Sequence, residues 1–252
     1  MYKKNYPALE FKRCVPVPHE KIHTVAIEST IEIFINKIPI ASILATPEMI
    51  KELAIGYFIC EGLVKDPDSI KDFKIDGNRI YAAIEETVHI EIWRELRSSG
   101  CVGVRWEENE NISIDSDTKF SMDLIGKSLR FLESDIYRET RGTHAACLIN
   151  ARGECAAKAI DVGRHNAFDK VVGYAYLNRI NVREHFIIST GRQSAGMVLK
   201  AARAGIPLVA TKTAPLNSGI DAALRTGVCL VCFVSNDKMS VFSHYERLLF
   251  HL

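Results

Sequence analysis

His185-Phe186-Ile187-Ile188-Ser189-Thr190-Gly191-Arg192-Gln193-Ser194-Ala195-Gly196-Met197-Val198-Leu199-Lys200-Ala201-Ala202-Arg203-Ala204-Gly205-Ile206-Pro207-Leu208-Val209-Ala210 is the stretch that decides the fold. Residues 185–189 read as a strand, and a polar, glycine-containing turn follows. Ala195, Val198, Leu199 and Ala202 then recur at i, i+3, i+4 and i+7, which predicts a helix over 193–204. Residues 206–210 are a second apolar run. A strand, a helix and a second strand in this order form a crossover unit of an α/β sheet.

The alternation continues on both sides. Runs at 144–150 and 154–160 are expected to pair through Ala151-Arg152-Gly153. A helix is predicted over 166–178, with Phe168, Val171, Val172 and Ala175 on one face. A helix over 218–226 and strands over 228–234 and 239–244 complete the series. Residues 136–252 are thus expected to be a three-layer α/β domain whose mixed sheet is mostly parallel.

Residues 1–135 read as a smaller α+β part. Thr30–Asn36 alternates like a half-buried strand, and Asn36-Lys37 suits a turn. Thr46 is expected to cap a helix with Pro47 at its first position, running to about residue 60. Leu53, Gly56, Tyr57 and Cys60 would form its inward stripe. Residues 71–75 and 80–84 flank Asp76-Gly77-Asn78-Arg79, a hairpin signal. Helical spacing returns over 121–134. Between about 98 and 119 all periodicity disappears, and a polar loop of that length is expected to be functional or mobile.

The 252 residues carry a formal charge of +1, with 47% hydrophobic and 25% charged residues. That balance argues against nucleic acid or an anionic membrane as a bulk electrostatic partner. No run approaches the roughly 18–20 apolar residues of a membrane span. Residues 1–7 lack the apolar centre of a signal peptide. The cysteines number seven, an odd and scattered set that suits a reducing compartment. A cytoplasmic protein is expected.

Ligands of open α/β sheets bind at the carboxyl ends of the strands. Three strand-to-helix connections there carry unusual chemistry: Asp161-Val162-Gly163-Arg164-His165-Asn166, Ser189-Thr190-Gly191-Arg192-Gln193-Ser194, and Thr211-Lys212-Thr213-Ala214-Pro215-Leu216-Asn217-Ser218. Each offers a cation (Arg164, Arg192, Lys212), hydroxyl or amide groups, and the N-terminus of a following helix, which favours anions. A phosphate-bearing ligand along this edge follows. The competing reading pairs Arg164 with Asp161 or Asp169 and makes the hydroxyls helix caps only.

Cys229-Leu230-Val231-Cys232 has the spacing of a zinc or redox site, but period two in a strand sends its thiols to opposite faces. Cys60, Cys147 and Cys155 fall in apolar settings and read as packing residues. Cys101 differs. It lies between Gly100 and Gly103, with Arg97 and Arg105 four residues away on either side, where a thiolate nucleophile is favoured. An exposed loop cysteine without a role is the competing reading. His144 and His165 are candidate hydrogen-bond donors or proton carriers, or else satisfied polar side chains.

Arg141-Gly142-Thr143-His144-Ala145-Ala146, Asp161-Val162-Gly163-Arg164-His165-Asn166-Ala167-Phe168-Asp169-Lys170, Thr190-Gly191-Arg192-Gln193-Ser194 and Thr213-Ala214-Pro215 together resemble the formate dehydrogenase accessory sulfurtransferase (FdhD) family. The resemblance implies a cytidine-deaminase-like fold without deaminase chemistry, since no His-x-Glu is joined by a Pro-Cys-x-x-Cys, and neither zinc nor another metal is expected. It further implies a homodimer that takes sulfur from a cysteine desulfurase as a persulfide on Cys101. The sulfur would pass to the bis-molybdopterin guanine dinucleotide of formate dehydrogenase, or of a related molybdenum or tungsten enzyme. Arg164, His165, Asn166, Thr190, Gly191, Arg192 and Lys212 would hold that cofactor. So would the segment after the penultimate strand, Phe233, Val234, Ser235, Asn236, Asp237 and Lys238. Many relatives carry two cysteines where this sequence has Cys101 alone, so a chaperone that inserts the cofactor without carrying sulfur is the alternative.

Overall fold

The computed structural model describes residues 2–13, 15–84, 96–97 and 112–250. The first elements are β1 (Lys3–Lys12), β2 (Val15–Ala26), β3 (Ser29–Ile35), β4 (Ile38–Ala45), α1 (Ile50–Cys60), β5 (Ile70–Asp76), β6 (Arg79–Ile84) and β7 (Leu96–Arg97). After them come β8 (Phe120–Ser121), α2 (Met122–Lys127), α3 (Asp135–Thr140), β9 (His144–Asn150), β10 (Cys155–Asp161) and α4 (Arg164–Leu177). The chain closes with β11 (His185–Ser189), α5 (Ala195–Arg203), β12 (Leu208–Thr211), α6 (Asn217–Thr226), β13 (Cys229–Cys232), β14 (Ser240–Val241) and β15 (Leu248–Leu249).

One sheet has the order β10-β9-β11-β12-β13-β14. Only β11–β12 and β12–β13 are parallel neighbours; β10–β9, β9–β11 and β13–β14 are antiparallel. The sheet is mixed as expected, but the expectation that it is mostly parallel is corrected: three of its five pairings are antiparallel. The cause is local, because the Ala151-Arg152-Gly153 turn is too short for a crossover and returns β10 beside β9 as a hairpin. Helix α4 then carries the chain past β9 to β11.

Period two sorts the strand residues onto two faces. Ala146, Leu148, Ile187, Val209, Leu230 and Cys232 pack with α1, α4, α5 and α6. Ala145, Cys147, Ile149, Phe186, Ile188, Val231 and Cys229 pack against Phe120, Ile125, Leu132 and Leu248. Cys229 and Cys232 therefore face opposite layers, as the strand period requires. The segment expected to be helical over 121–134 is α2 followed by a 3-10 turn, Ser128–Leu132.

A second sheet, β5-β6-β3-β4-β7, closes the other side of α1. Asn36 and Lys37 both have positive φ, 49° and 70°, the geometry that a two-residue hairpin needs. Helix α1 lies between this sheet and α4, and all of Leu53 to Cys60 is buried. The expected one-sided stripe is thus replaced by burial all round, which suits a helix between two layers. A Cβ on Gly56 would lie 1.8 Å from the Asp169 carbonyl oxygen, and one on Gly173 would lie 1.8 Å from that of Glu52. Only glycine lets the two helices touch backbone to backbone at this crossing.

Thr46 does not cap α1. The helix starts later, with Met49 at its N-cap and φ 51°. Thr46 is instead buried against the start of α4. Strands β1 and β2, not expected from the sequence, pair as a ribbon whose Leu9, Phe11 and Ile22 are exposed. The Lys3–Glu139 ion pair at 2.6 Å ties the ribbon to α3. Among the described residues, no helix is long and apolar enough to cross a membrane.

Candidate functional site

Asp161, at the end of β10, is fully buried and organises the first loop. Its Oδ2 accepts from the ammonium of Lys170 and from the Thr46 backbone N–H at 3.0 Å. Its Oδ1 accepts from Gly163 N–H at 2.8 Å and from Asn166 Nδ2 at 2.9 Å. Thr46 Oγ1 accepts in turn from Val162 N–H, and Lys170 also donates to the Thr46 carbonyl. These bonds fix the loop between β10 and α4 to the chain leaving β4. The partners of the two aspartates are Lys170 for Asp161 and Lys200 for Asp169, where the sequence offered Arg164.

A cavity of about 450 Å³ opens at the carboxyl ends of β10, β11 and β12. Its polar lining includes Ser134, Tyr137, Arg141, Thr143, His144, Thr190, Lys212 and Thr213, and among the described residues no carboxylate lines it. The Arg141 guanidinium and the Lys212 ammonium lie 5.4 and 5.8 Å from the centre of the Tyr137 ring. Cation–π attraction thus gathers two positive charges on one wall. Arg141 reaches this place because it ends α3 in the left-handed region, with φ 55°. Thr143 Oγ1 is buried and finds no hydrogen-bond partner among the described residues. An orphaned buried hydroxyl on a cationic wall fits a ligand oxygen.

Thr190 Oγ1 accepts from Ala145 N–H at 3.1 Å and lies 3.0 Å from His144 Nδ1. With its own proton directed to Nδ1, the neutral ring keeps a donor on Nε2. Burial and the charges of Arg164 and Lys212 lower the His144 pKa, against an opposing pull from Asp161. His144 is therefore expected to titrate below about 6.5, the ordinary histidine value, in an NMR pH series. Replacing Lys212 with methionine should raise that midpoint; a midpoint that stays put would remove Lys212 from its surroundings.

The expected ligand contacts divide. Thr190 and Lys212 line the cavity, whereas Gly191 and Arg164 are outside its lining, packed so closely that a Cβ on Gly191 would lie 2.8 Å from the Arg164 Cβ. Arg192 is exposed and outside the lining. His165 and Asn166 are buried in the first turn of α4, and Asn166 spends its amide protons on Asp161 and the Leu44 carbonyl. Val234 is buried and Phe233 exposed. Their N–H groups donate to the carbonyls of Thr211 and Thr213, which holds this loop beside the previous one. Ser235, Asn236, Asp237 and Lys238 line a second cavity of about 420 Å³, shared with Met122, Gly126 and Lys127. Cys101 lies outside the described residues. Sequence reasoning missed Tyr137, Arg141, Thr143 and Thr213 as site residues. The Arg141-Gly142-Thr143-His144 run was the available signal.

Residues 26–249 match the family model described as FdhD/NarQ. A relative from Methanothermobacter thermautotrophicus named sulfur carrier protein FdhD is 38% identical, over 81% of this chain and 83% of its own length. Proteins of the same name from Wolinella succinogenes and Sulfolobus acidocaldarius are each 31% identical, over 90% and 89% of this chain and 83% and 90% of theirs. A crystal structure described as a formate dehydrogenase accessory protein, from Desulfotalea psychrophila, superposes with a TM-score of 0.83 at 26% identity. It covers 99% of this chain and 100% of its own. With the family model spanning both sheets and the residues that line the cavity, the chain belongs to the FdhD/NarQ family.

Proposed function

We propose that this chain is a sulfur carrier that serves formate dehydrogenase or a related molybdenum or tungsten enzyme. It receives sulfur from a cysteine desulfurase as a persulfide on Cys101. The Cys101 thiolate attacks the terminal sulfur of the donor persulfide, and the donor cysteine leaves as its thiolate. The sulfur then passes to the bis-molybdopterin guanine dinucleotide, which the chain handles as cargo. The names of the relatives support sulfur carriage.

The observation that carries the cofactor half is the cavity with Arg141, Lys212 and the unsatisfied Thr143 hydroxyl on its walls, lined by no carboxylate among the described residues. Those groups suit the phosphates of a dinucleotide. The second cavity beside Ser235–Lys238 gives the other end of so large a molecule a place on the same domain. A cytidine-deaminase-like layering, a homodimer and a cytoplasmic setting belong to the same proposal.

Incubation with a cysteine desulfurase and cysteine, followed by intact-mass and peptide analysis, tests the sulfur half. One added sulfur on the Cys101 peptide is expected, and none in Cys101→Ala. Equal uptake by that variant would place the carrier elsewhere. Client activation that survives in it would favour the cofactor-inserting chaperone.

A further inference from the structure

Strands β9 and β10 carry two neighbouring cysteines that line neither cavity. Cys147 pairs with Lys158 and Cys155 with Ile149, so the two lie diagonally across the hairpin, where the register shifts between Cys155 and Ala157. Cys147 belongs to the cluster formed with Phe120 and Leu132, and Cys155 packs against it. The two thiols are near enough for each to shift the titration of the other. Cys147 is buried and its Sγ donates to the Phe131 carbonyl at 3.4 Å, whereas Cys155 is partly exposed.

We propose that Cys147 and Cys155 form a redox-active dithiol that exchanges with low-molecular-weight disulfides. Cys155 is the attacking thiol and Cys147 the resolving one. The Cys155 thiolate attacks one sulfur of the small disulfide, and one small thiolate leaves. Cys147 loses its proton to solvent, and its thiolate then attacks Cys155 Sγ to expel the second small thiolate. The two cysteines together lose two electrons, and the small disulfide is reduced to two thiols. The division of roles agrees with their surroundings. The neighbouring Cys147 thiol pulls the Cys155 pKa down to about 7, against burial and with help from Lys158. Cys147 is held above the ordinary thiol range by Cys155 and by burial.

Oxidation would also take the Cys147 proton away from the Phe131 carbonyl. Phe131 immediately precedes Leu132 in the wall of the larger cavity, so the state of the pair reaches that wall. The proposal is independent of the role given to Cys101.

The test uses the full chain with Cys14→Ser and Cys101→Ser, equilibrated in buffers of oxidised and reduced glutathione, acid-quenched, alkylated and digested. A Cys147–Cys155 cross-linked peptide is expected, with Cys60, Cys229 and Cys232 left alkylated. Cys147→Ala should stop at a glutathione adduct on Cys155. Before oxidation, native-state alkylation of Cys155 should outpace that of Cys229 and Cys232 by more than about tenfold. Burial pushes those two thiols up to about 12. Absence of the cross-link at every buffer ratio overturns the proposal, as does glutathione uptake at Cys147 in Cys155→Ser. That second variant changes a partly exposed position and keeps the test decisive if Cys147→Ala fails to fold.

Discussion

Replacing Asp161 with alanine is expected to lower the unfolding free energy by about 3–5 kcal/mol, the range for removing one partner of a buried ion pair. Asp161 and Lys170 are both 0% exposed at the side chain, so the Lys170 ammonium would lose its counter-ion where water cannot replace it. The N–H groups of Thr46 and Gly163 and the Asn166 amide would lose their acceptor in the same step. Urea unfolding monitored by circular dichroism measures this as a lower midpoint at unchanged slope. Asp161→Asn keeps the shape and should fall between the two, because it restores acceptors on one side but not the charge. A loss below about 1 kcal/mol for the alanine variant would mean that the Thr46 carbonyl alone satisfies the Lys170 ammonium, and that the carboxylate is not needed to hold it.

Lys200→Met should cost a similar amount, about 3–5 kcal/mol at pH 8, with a pH dependence that identifies the cause. The Lys200 ammonium lies 2.8 and 2.9 Å from the Asp169 carboxylate and 3.0 Å from Glu61, where α1, α4 and α5 meet. Burial opposes the charge on Lys200, and the two carboxylates outweigh it to hold its pKa above the ordinary lysine value. Burial likewise raises Asp169 to about 6, against the pull of Lys200. The folded state then holds a proton that the unfolded chain has lost, so this contribution to stability falls as pH rises from about 4 to about 6. Without the ammonium Asp169 titrates higher still, and the window extends upward. The variant should therefore recover stability at pH 5 relative to pH 8. Equal losses at both values would point to packing of the lysine stem rather than its charge.

The elements that the sequence disclosed best are those with a strong period and a clear turn. The strand at 185–189 and the hairpin around Gly77 are found as expected. The crossover helix of the opening stretch starts two residues later than predicted, at Ala195, because Ser194 takes the N-cap position. Thr46-Pro47 misled for a tertiary reason: Asp161 and Val162 use the threonine that a local reading gives to the helix cap. The antiparallel majority was hidden because periodicity does not encode which neighbour a strand lies beside: β9 sits antiparallel between β10 and β11, and β14 returns antiparallel to β13.

The candidate site was half legible. Thr190 and Lys212 sit on the loops where strand order and helix starts placed them. Arg141 and Tyr137 could not be found that way. They reach the cavity through a left-handed helix end and a cation–π contact between residues far apart in sequence.

The central claim is that the cationic cavity holds the nucleotide part of the cofactor, and calorimetry with GDP addresses it most directly. Wild-type chain is expected to bind GDP, with guanosine much weaker and with affinity falling as salt is raised. Lys212→Met and Arg141→Met, both at exposed positions, should each weaken GDP binding by about ten- to a hundredfold, as loss of one charge-assisted hydrogen bond does. Unchanged affinity in both variants, or guanosine binding as tightly as GDP, would contradict the account.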